Sequence, residues 1–217
     1  MTITKKASRA SRADIVPPAL VAHQVAGHIA LDFCNTAGEH LADEPQEFLL
    51  DWESFLRWST QIALIGPKSY FDLLSSPEPI GKIVQLREVI YRVGLAFALG
   101  RRVSKHDVRF IRGCADVPRP KIEFRNDVPR WCPDPVHASE QLCGVLAGEA
   151  LSLFCSPRVG RIGVCAGGKC GWLFLDESRG KRRRWCDMKD CGSRAKARRY
   201  YETHKQPALL ERSWNAR

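Results

Sequence analysis

The residues able to do chemistry in this chain concentrate between Val164 and Tyr201: VCAGGKCGWLFLDESRGKRRRWCDMKDCGSRAKARRYY. Cys165 and Cys170 form one C-x4-C clip, and Cys186 and Cys191 form a second, with fifteen residues between them. Thiolates are soft ligands that suit zinc, and four of them close a tetrahedral shell. Gly167 and Gly168 let the first clip turn, while Gly171 and Gly192 each follow a cysteine, where backbone must come close to the metal. Two disulfides, or four unrelated buried thiols, are the other readings of the same residues. Nothing in the chain points to an oxidising compartment, and the paired clips are read as one structural Zn2+. A shell of four cysteines leaves no open position for water, so no zinc hydrolase is expected.

The charge has a location. Arg161 to Lys205 carries 13 Lys and Arg against 5 Asp and Glu, in a chain whose formal net charge is +10. The residues before Ile15 are also basic, and the span from Ile15 to Gly160 is close to neutral. A compact basic module on a near-neutral body is the distribution of an anion-binding protein.

The 217 residues, 44% of them hydrophobic, suffice for one large or two small domains with an ordinary core. No apolar run is long enough to span a bilayer, and the basic, Ser-rich opening lacks the apolar stretch of a secretory signal. Cys34, Cys114, Cys132, Cys143 and Cys155 lie outside the clips, scattered as reduced thiols of a cytoplasmic protein would be.

The elements that must position the cysteines follow from pattern. Residues 1–16 are expected to be a disordered basic arm. His28 to Phe33 reads as a short strand, with Asn35 and Thr36 as a turn or helix start. Asp51 caps a helix whose face is Trp52, Phe55, Leu56, Ser59 and Ile62. A short helix over Ser69–Leu74 is followed by the longest, Ile80 to Leu99, and by one capped at Ser104 that runs through Cys114. Lys121–Arg125 and Val128–Cys132 pair as a proline-confined edge hairpin. A last body helix covers Pro135 to Phe154. In the zinc module Arg161–Val164 and Trp172–Leu175 are short strands, and a helix runs from Asp190 to His204, docked by Ala197 and Tyr200. The fold class is α+β: a mostly helical body with a small hairpin, then a treble-clef-like finger. The expected divisions are 1–16, 17–157, 158–205 and a tail over 206–217.

These residues resemble a known family. Cys165/Cys170, Trp172-Phe174-Asp176-Ser178, Arg183-Arg184-Trp185-Cys186 and Cys191-Gly192-Ser193-Arg194-Ala195-Lys196 are similar to the CGNR zinc finger, except that Ser193 stands where the signature has Asn. Leu31–Thr36 (LDFCNT), ahead of a helical body, is similar to the partner domain called ABATE. The resemblance implies a bacterial transcription regulator with the finger as its DNA-binding part.

On a helix Arg194, Arg198, Tyr201 and Lys205 share one face, and Lys196, Arg199 and Thr203 another. A slim basic helix suits the major groove, where Arg bonds guanine bidentately. Arg182, Arg183 and Arg184 precede Trp185 in a loop and suit phosphate contacts. Alternatively, some of these cations neutralise the doubly negative zinc–thiolate cluster and bond its sulfurs. Asp32, Asn35 and Thr36 could line a small-molecule pocket; the plainer reading is that they cap a helix and satisfy buried backbone. His23, His28 and His40 show no ligand spacing.

The function expected is duplex-DNA binding in transcription regulation, with the body sensing an effector or forming a homodimer. The alternatives are an RNA-binding or ribosome-associated zinc protein, and an enzyme whose finger is a structural appendage. No paired carboxylates, phosphate loop or nucleophile motif supports the enzyme.

Overall fold

The computed structural model describes residues 24–125 and 127–214, without the side chains of 125 and 205–214. The arm over 1–16, His23, Asn126, the side chain of Lys205 and the end of the tail lie outside the described residues.

A short helix, α1 (Ile29–Cys34), sits at the centre of the body against α4 (Gly81–Ala98) and α6 (Ala138–Phe154). The segment around it was expected to be a strand. His28 instead caps a helix, its Nδ1 accepting from the Ala30 N–H at 3.2 Å. Ala30, Leu31, Phe33 and Cys34 are all buried. A helix covered on several sides has few polar positions to mark its period, so the sequence pattern was ambiguous there.

The other body helices follow their local signals. α2 (Trp52–Gln61) opens on a reciprocal capping box between Asp51 and Ser54. Pro67 occupies the first turn of α3 (Pro67–Leu74). Ser104 caps α5 (Lys105–Ala115) by accepting from the Asp107 N–H, and α5 closes over α4 and α6. α6 starts at Ala138 rather than near Pro135; the Glu78 carboxylate there accepts from the Ser139 N–H and hydroxyl.

Among the described residues three two-stranded antiparallel sheets complete the fold. β1 (Ala37–Gly38) pairs with β2 (Gln46–Glu47). β3 (Lys121–Arg125) pairs with β4 (Val128–Cys132) in the expected register, Ile122 opposite Trp131. β5 (Ile162–Val164) pairs with β6 (Leu173–Leu175), and the first cysteine clip is the connection between them.

The β5–β6 hairpin belongs to two cores at once. Successive side chains of a strand point to opposite faces. Ile162, Leu173 and Leu175 therefore enter the body core, while Phe174 packs with the four clip cysteines. Gly94 on α4 makes room for this: a Cβ there would meet Leu173 Cδ1 at 2.7 Å. The last helix, α7 (Ser193–Trp214), is 22 residues long, against 18 for α4, which was expected to be the longest.

Candidate metal centre and its basic surround

The two clips converge. Cys165 and Cys170 flank the β5–β6 turn; Cys186 ends the basic loop; Cys191 lies in the tight turn Met188–Gly192 that opens α7. All four thiols are buried, and their sulfurs lie within 4.8 Å of one another. Cys170 Sγ and Cys186 Sγ are 3.7 Å apart. A tetrahedral Zn–S shell with bonds of about 2.3 Å has an S···S edge of about 3.8 Å, so the geometry fits the ion. Four thiolates this close need a cation between them.

Backbone packing around the sulfurs requires particular glycines. A Cβ on Gly167 would lie 3.0 Å from Cys191 Sγ. Gly171 has φ +65°, and a Cβ there would meet Leu41 Cγ at 2.7 Å. Ser193, in place of the signature Asn, is exposed, and its hydroxyl donates to the Met188 carbonyl at 3.2 Å.

The body holds this centre through a series of specific bonds. The Asn35 amide donates to Leu173 O at 2.9 Å and accepts from Leu173 N at 3.0 Å. His40 N–H donates to Cys170 O at 3.0 Å, and the Tyr91 hydroxyl donates to Gly171 O at 3.0 Å. Trp172 Nε1 donates to Ala37 O at 2.7 Å. The His40 ring stacks on Tyr91 at 3.8 Å between centroids, and burial holds its pKa below the usual imidazole value. Thr36 is fully buried; its hydroxyl donates to Phe33 O at 2.7 Å and faces Arg87 Nη1 at 3.4 Å. Asp32 accepts from the Ala26 N–H at 3.0 Å. Burial raises its carboxyl to about 6, opposed by bonds from Ala26 and Val25 and by the charge of Arg183. The polar atoms of Asp32, Asn35 and Thr36 are thus engaged in the joint between body and finger.

The basic residues divide by environment. Arg183 faces inward: Nε donates to Trp185 O, Nη1 to Leu175 O, and Nη2 to Val25 O and Cys186 O. Its guanidinium also lies 4.5 Å from the Phe174 ring centroid. Arg194 donates to Cys191 Sγ at 3.2 Å and to Asp190 Oδ2 at 3.1 Å, so it balances the thiolate charge. Arg182 and Arg184 are exposed beside Arg183, Arg184 lying over the Trp185 ring. Asp176 braces their loop, Oδ1 accepting from Ser178 N and Oδ2 from Arg183 N. Lys196, Arg198 and Arg199 are exposed on α7. Ala197 and Tyr200 were expected to dock that helix on the hairpin. Both are exposed, Tyr200 at 60%, because α7 leaves the module after Ala195.

A cleft of about 660 Å³ runs between α7, the first clip and the β1–β2 hairpin; Arg198, Arg199, Trp172, Trp185 and Phe48 face it. Sequence reasoning missed Arg87, Tyr91 and His40 as supports of this region. Arg87 is 2% exposed and bonds Glu47 bidentately, both contacts at 2.6 Å, which ties the β1–β2 hairpin to α4. Their partners Glu47, Gly171 and Cys170 lie about forty to a hundred and thirty positions away in sequence, so no local pattern announces them; a charged residue inside the apolar stripe of α4 was the one available sign.

Fold and site together define a structural-zinc protein, a helical body to which a four-cysteine finger is bonded as a second layer. A family model described as "CGNR zinc finger" matches residues 161–204. The ABATE model, described as "Putative stress-induced transcription regulator", matches residues 27–157, and the chain belongs to the ABATE family with a CGNR finger following it. No curated protein matches the chain. Four buried, adjacent cysteines in a CGNR finger bind one structural zinc. Among the described residues no helix is long and apolar enough to cross a membrane.

Proposed function

We propose that this chain is a cytoplasmic, bacterial DNA-binding transcription regulator whose finger contacts duplex DNA through α7 and through Arg182 and Arg184. The observation that carries this reading is the exposure of α7. Every residue from Lys196 to His204 is exposed, and Lys196, Arg198 and Arg199 stand on that helix, Arg198 and Arg199 at the mouth of the cleft over the first clip. A helix about 10–12 Å across with side chains fits the major groove. Arg182 and Arg184 position the module on phosphates, and Arg194 supports the metal while completing the basic face. The body supplies the base on which the finger stands and serves as sensor or dimerisation domain.

Arg198 is the base reader on this account. It is one turn beyond Arg194, exposed, and next to the small residue Ala197. Selection of bound sites from a random duplex library tests this. Arg198→Ala is expected to relax preference at one base position, a change of about 1–3 kcal/mol. Equal stringency in both proteins removes Arg198 from this role.

A second reading is RNA binding, favoured by the exposed aromatic groups of α7. Tyr200 and Tyr201 are 60% and 64% exposed, and His204 stacks on Tyr200 at 4.0 Å. Such rings are platforms for unpaired bases. Tighter binding of structured RNA than of duplex DNA at one salt concentration favours it. The families matched are regulator and zinc-finger types rather than enzymes.

A further inference from the structure

The cleft between α7, the first clip and the β1–β2 hairpin is walled by both parts of the molecule. Phe48 comes from the body, Trp172 and Trp185 from the finger, and Arg198 and Arg199 from α7. Cys170, Cys186 and Cys191 line it as well. A single ion between the sulfurs takes a small part of its volume of about 660 Å³. Pockets for small organic molecules measure about 300–1,000 Å³. The walls are held in place. The Phe48 ring lies against Gly38, where a Cβ would meet Phe48 Cε2 at 2.9 Å. The Trp172 indole is fixed by its bond to the Ala37 carbonyl, and the Glu47–Arg87 pair ties the hairpin to α4. The Arg198 guanidinium lies over Gly168, where a Cβ would be 3.6 Å from Nη1 and 3.9 Å from Nη2. Arg194 is engaged by Asp190 and Cys191. Among the described residues the guanidinium groups of Arg198 and Arg199 have no hydrogen bond or ion pair.

We propose that this cleft is a binding site for a small aromatic monocarboxylate. The ligand's ring packs among Phe48 and the two indoles, and Arg198 and Arg199 donate to its carboxylate, whose two oxygens match the planar fork of a guanidinium. The acidic groups of the cleft limit the charge it takes. Glu39 and Glu202 also line it, and the zinc–thiolate cluster beside them is negative. A polyanion such as phosphate meets that repulsion in full, whereas one delocalised charge on an apolar ring meets it least. The cleft is therefore distinct in its chemistry from a contact to the phosphate backbone. Because one wall belongs to the body and the other to the finger, a ligand here touches both. The site stands on the cleft alone and does not need the duplex-DNA reading. Where that reading holds, a bound carboxylate keeps Arg198 over the clip and away from a base, so the ligand releases DNA.

The test is a calorimetric titration of the zinc-loaded, full-length protein with 2-naphthoate, with its neutral isostere 2-naphthamide, and with inorganic phosphate. Three proteins are compared. One is wild type. The second carries Arg198→Gln and Arg199→Gln. The third carries Arg101→Gln and Arg102→Gln, two exposed cations just before α5 and outside the cleft. Both variants lose the same net charge, and all the positions changed are exposed, so melting curves and zinc content should match wild type. The cleft variant is expected to bind 2-naphthoate about tenfold or more weakly, the scale of a lost charge-assisted bond. The α5 variant should stay within about twofold of wild type, since distant surface charges are screened. In wild type, 2-naphthamide should bind about tenfold more weakly than 2-naphthoate, and phosphate should not displace it. No binding of 2-naphthoate by wild type at millimolar concentration, equal affinity for the amide, equal weakening in the two variants, or displacement by phosphate overturns the site. Naphthoate binding by a protein that holds no duplex supports the site and overturns the DNA reading alone, so the two failures are distinguishable.

Discussion

Asn35 and Leu173 are 138 positions apart and are joined by two hydrogen bonds, the Asn35 amide meeting the Leu173 carbonyl at 2.9 Å and its N–H at 3.0 Å. Both residues are fully buried. An amide side chain here does what a neighbouring strand would do, and it supplies the pairing that β6 lacks on its free edge. The same strand carries Leu173 and Leu175 into the body core and Phe174 into the cysteine cluster. The segment LDFCNT is therefore a structural joint: it fixes the angle at which the finger stands on the body.

Asn35→Ala leaves a buried N–H and a buried C=O of Leu173 without these partners. Each such group costs about 1–3 kcal/mol, so a loss of about 2–6 kcal/mol is expected by thermal or denaturant unfolding. Release of zinc to a chelator should also quicken, because the strand preceded by Cys170 loses its anchor. A variant with unchanged stability and unchanged release rate contradicts this role.

Zinc removal should weaken the body as well as the finger. One zinc per chain is expected by elemental analysis, and none in Cys186→Ser. Ile162, Leu173 and Leu175 fill the core that α1 and α4 share. A finger that unfolds exposes that core, so helical signal should melt at lower temperature in the metal-free protein. An unaltered melting curve would show that the β5–β6 hairpin keeps its place without the metal.

The Glu47–Arg87 pair gives an acid limb to stability. Glu47 is partly buried, which by itself raises its pKa; bonding and charge from Arg87 outweigh this and hold the carboxyl below its ordinary value. A carboxyl depressed in the folded state contributes stability above its unfolded pKa, and that contribution is lost as pH falls through the folded value. Wild type should therefore lose stability below the usual carboxylate range, and Glu47→Gln should lose part of that dependence. The substitution removes one partner of a buried Arg, at about 3 kcal/mol or somewhat less, since Glu88 still bonds Arg87 Nε at 2.9 Å. Denaturant unfolding between about pH 3 and 7 reads both effects.

Arg183 and Arg184 are neighbours with opposite expected phenotypes. Arg183→Ala leaves four carbonyls short of a charged donor and should destabilise the finger. Arg184→Ala should leave the melting temperature nearly unchanged and lower the magnitude of the salt slope for duplex DNA by about 0.9. Thermal unfolding and binding titrations on the same two preparations separate the roles. An Arg183 variant that is fully stable and loses only DNA affinity reverses the assignment.

The residues by themselves determined the metal centre, because spacing and donor type suffice for it. Two C-x4-C clips of thiolates, with glycines beside them, have few other stable arrangements in a reducing compartment. They also determined most helices, through caps such as Asp51 and Ser104, and the β3–β4 hairpin, through its two strand segments and their prolines. Each of these rests on neighbours within a few positions. The tertiary structure alone decided the rest. It turned His28–Phe33 into a helix, since burial on several sides leaves no alternation to read. It placed Arg183 inward and Arg184 outward, although both are cations in one run, because inner carbonyls from Val25 and Leu175 are brought there by distant segments. It left Ala197 and Tyr200 in solvent, since α7 leaves the module after Ala195. Which side of the finger remains open to a partner depends on bonds such as Asn35 to Leu173, and a contact between residues so far apart leaves no trace in local pattern.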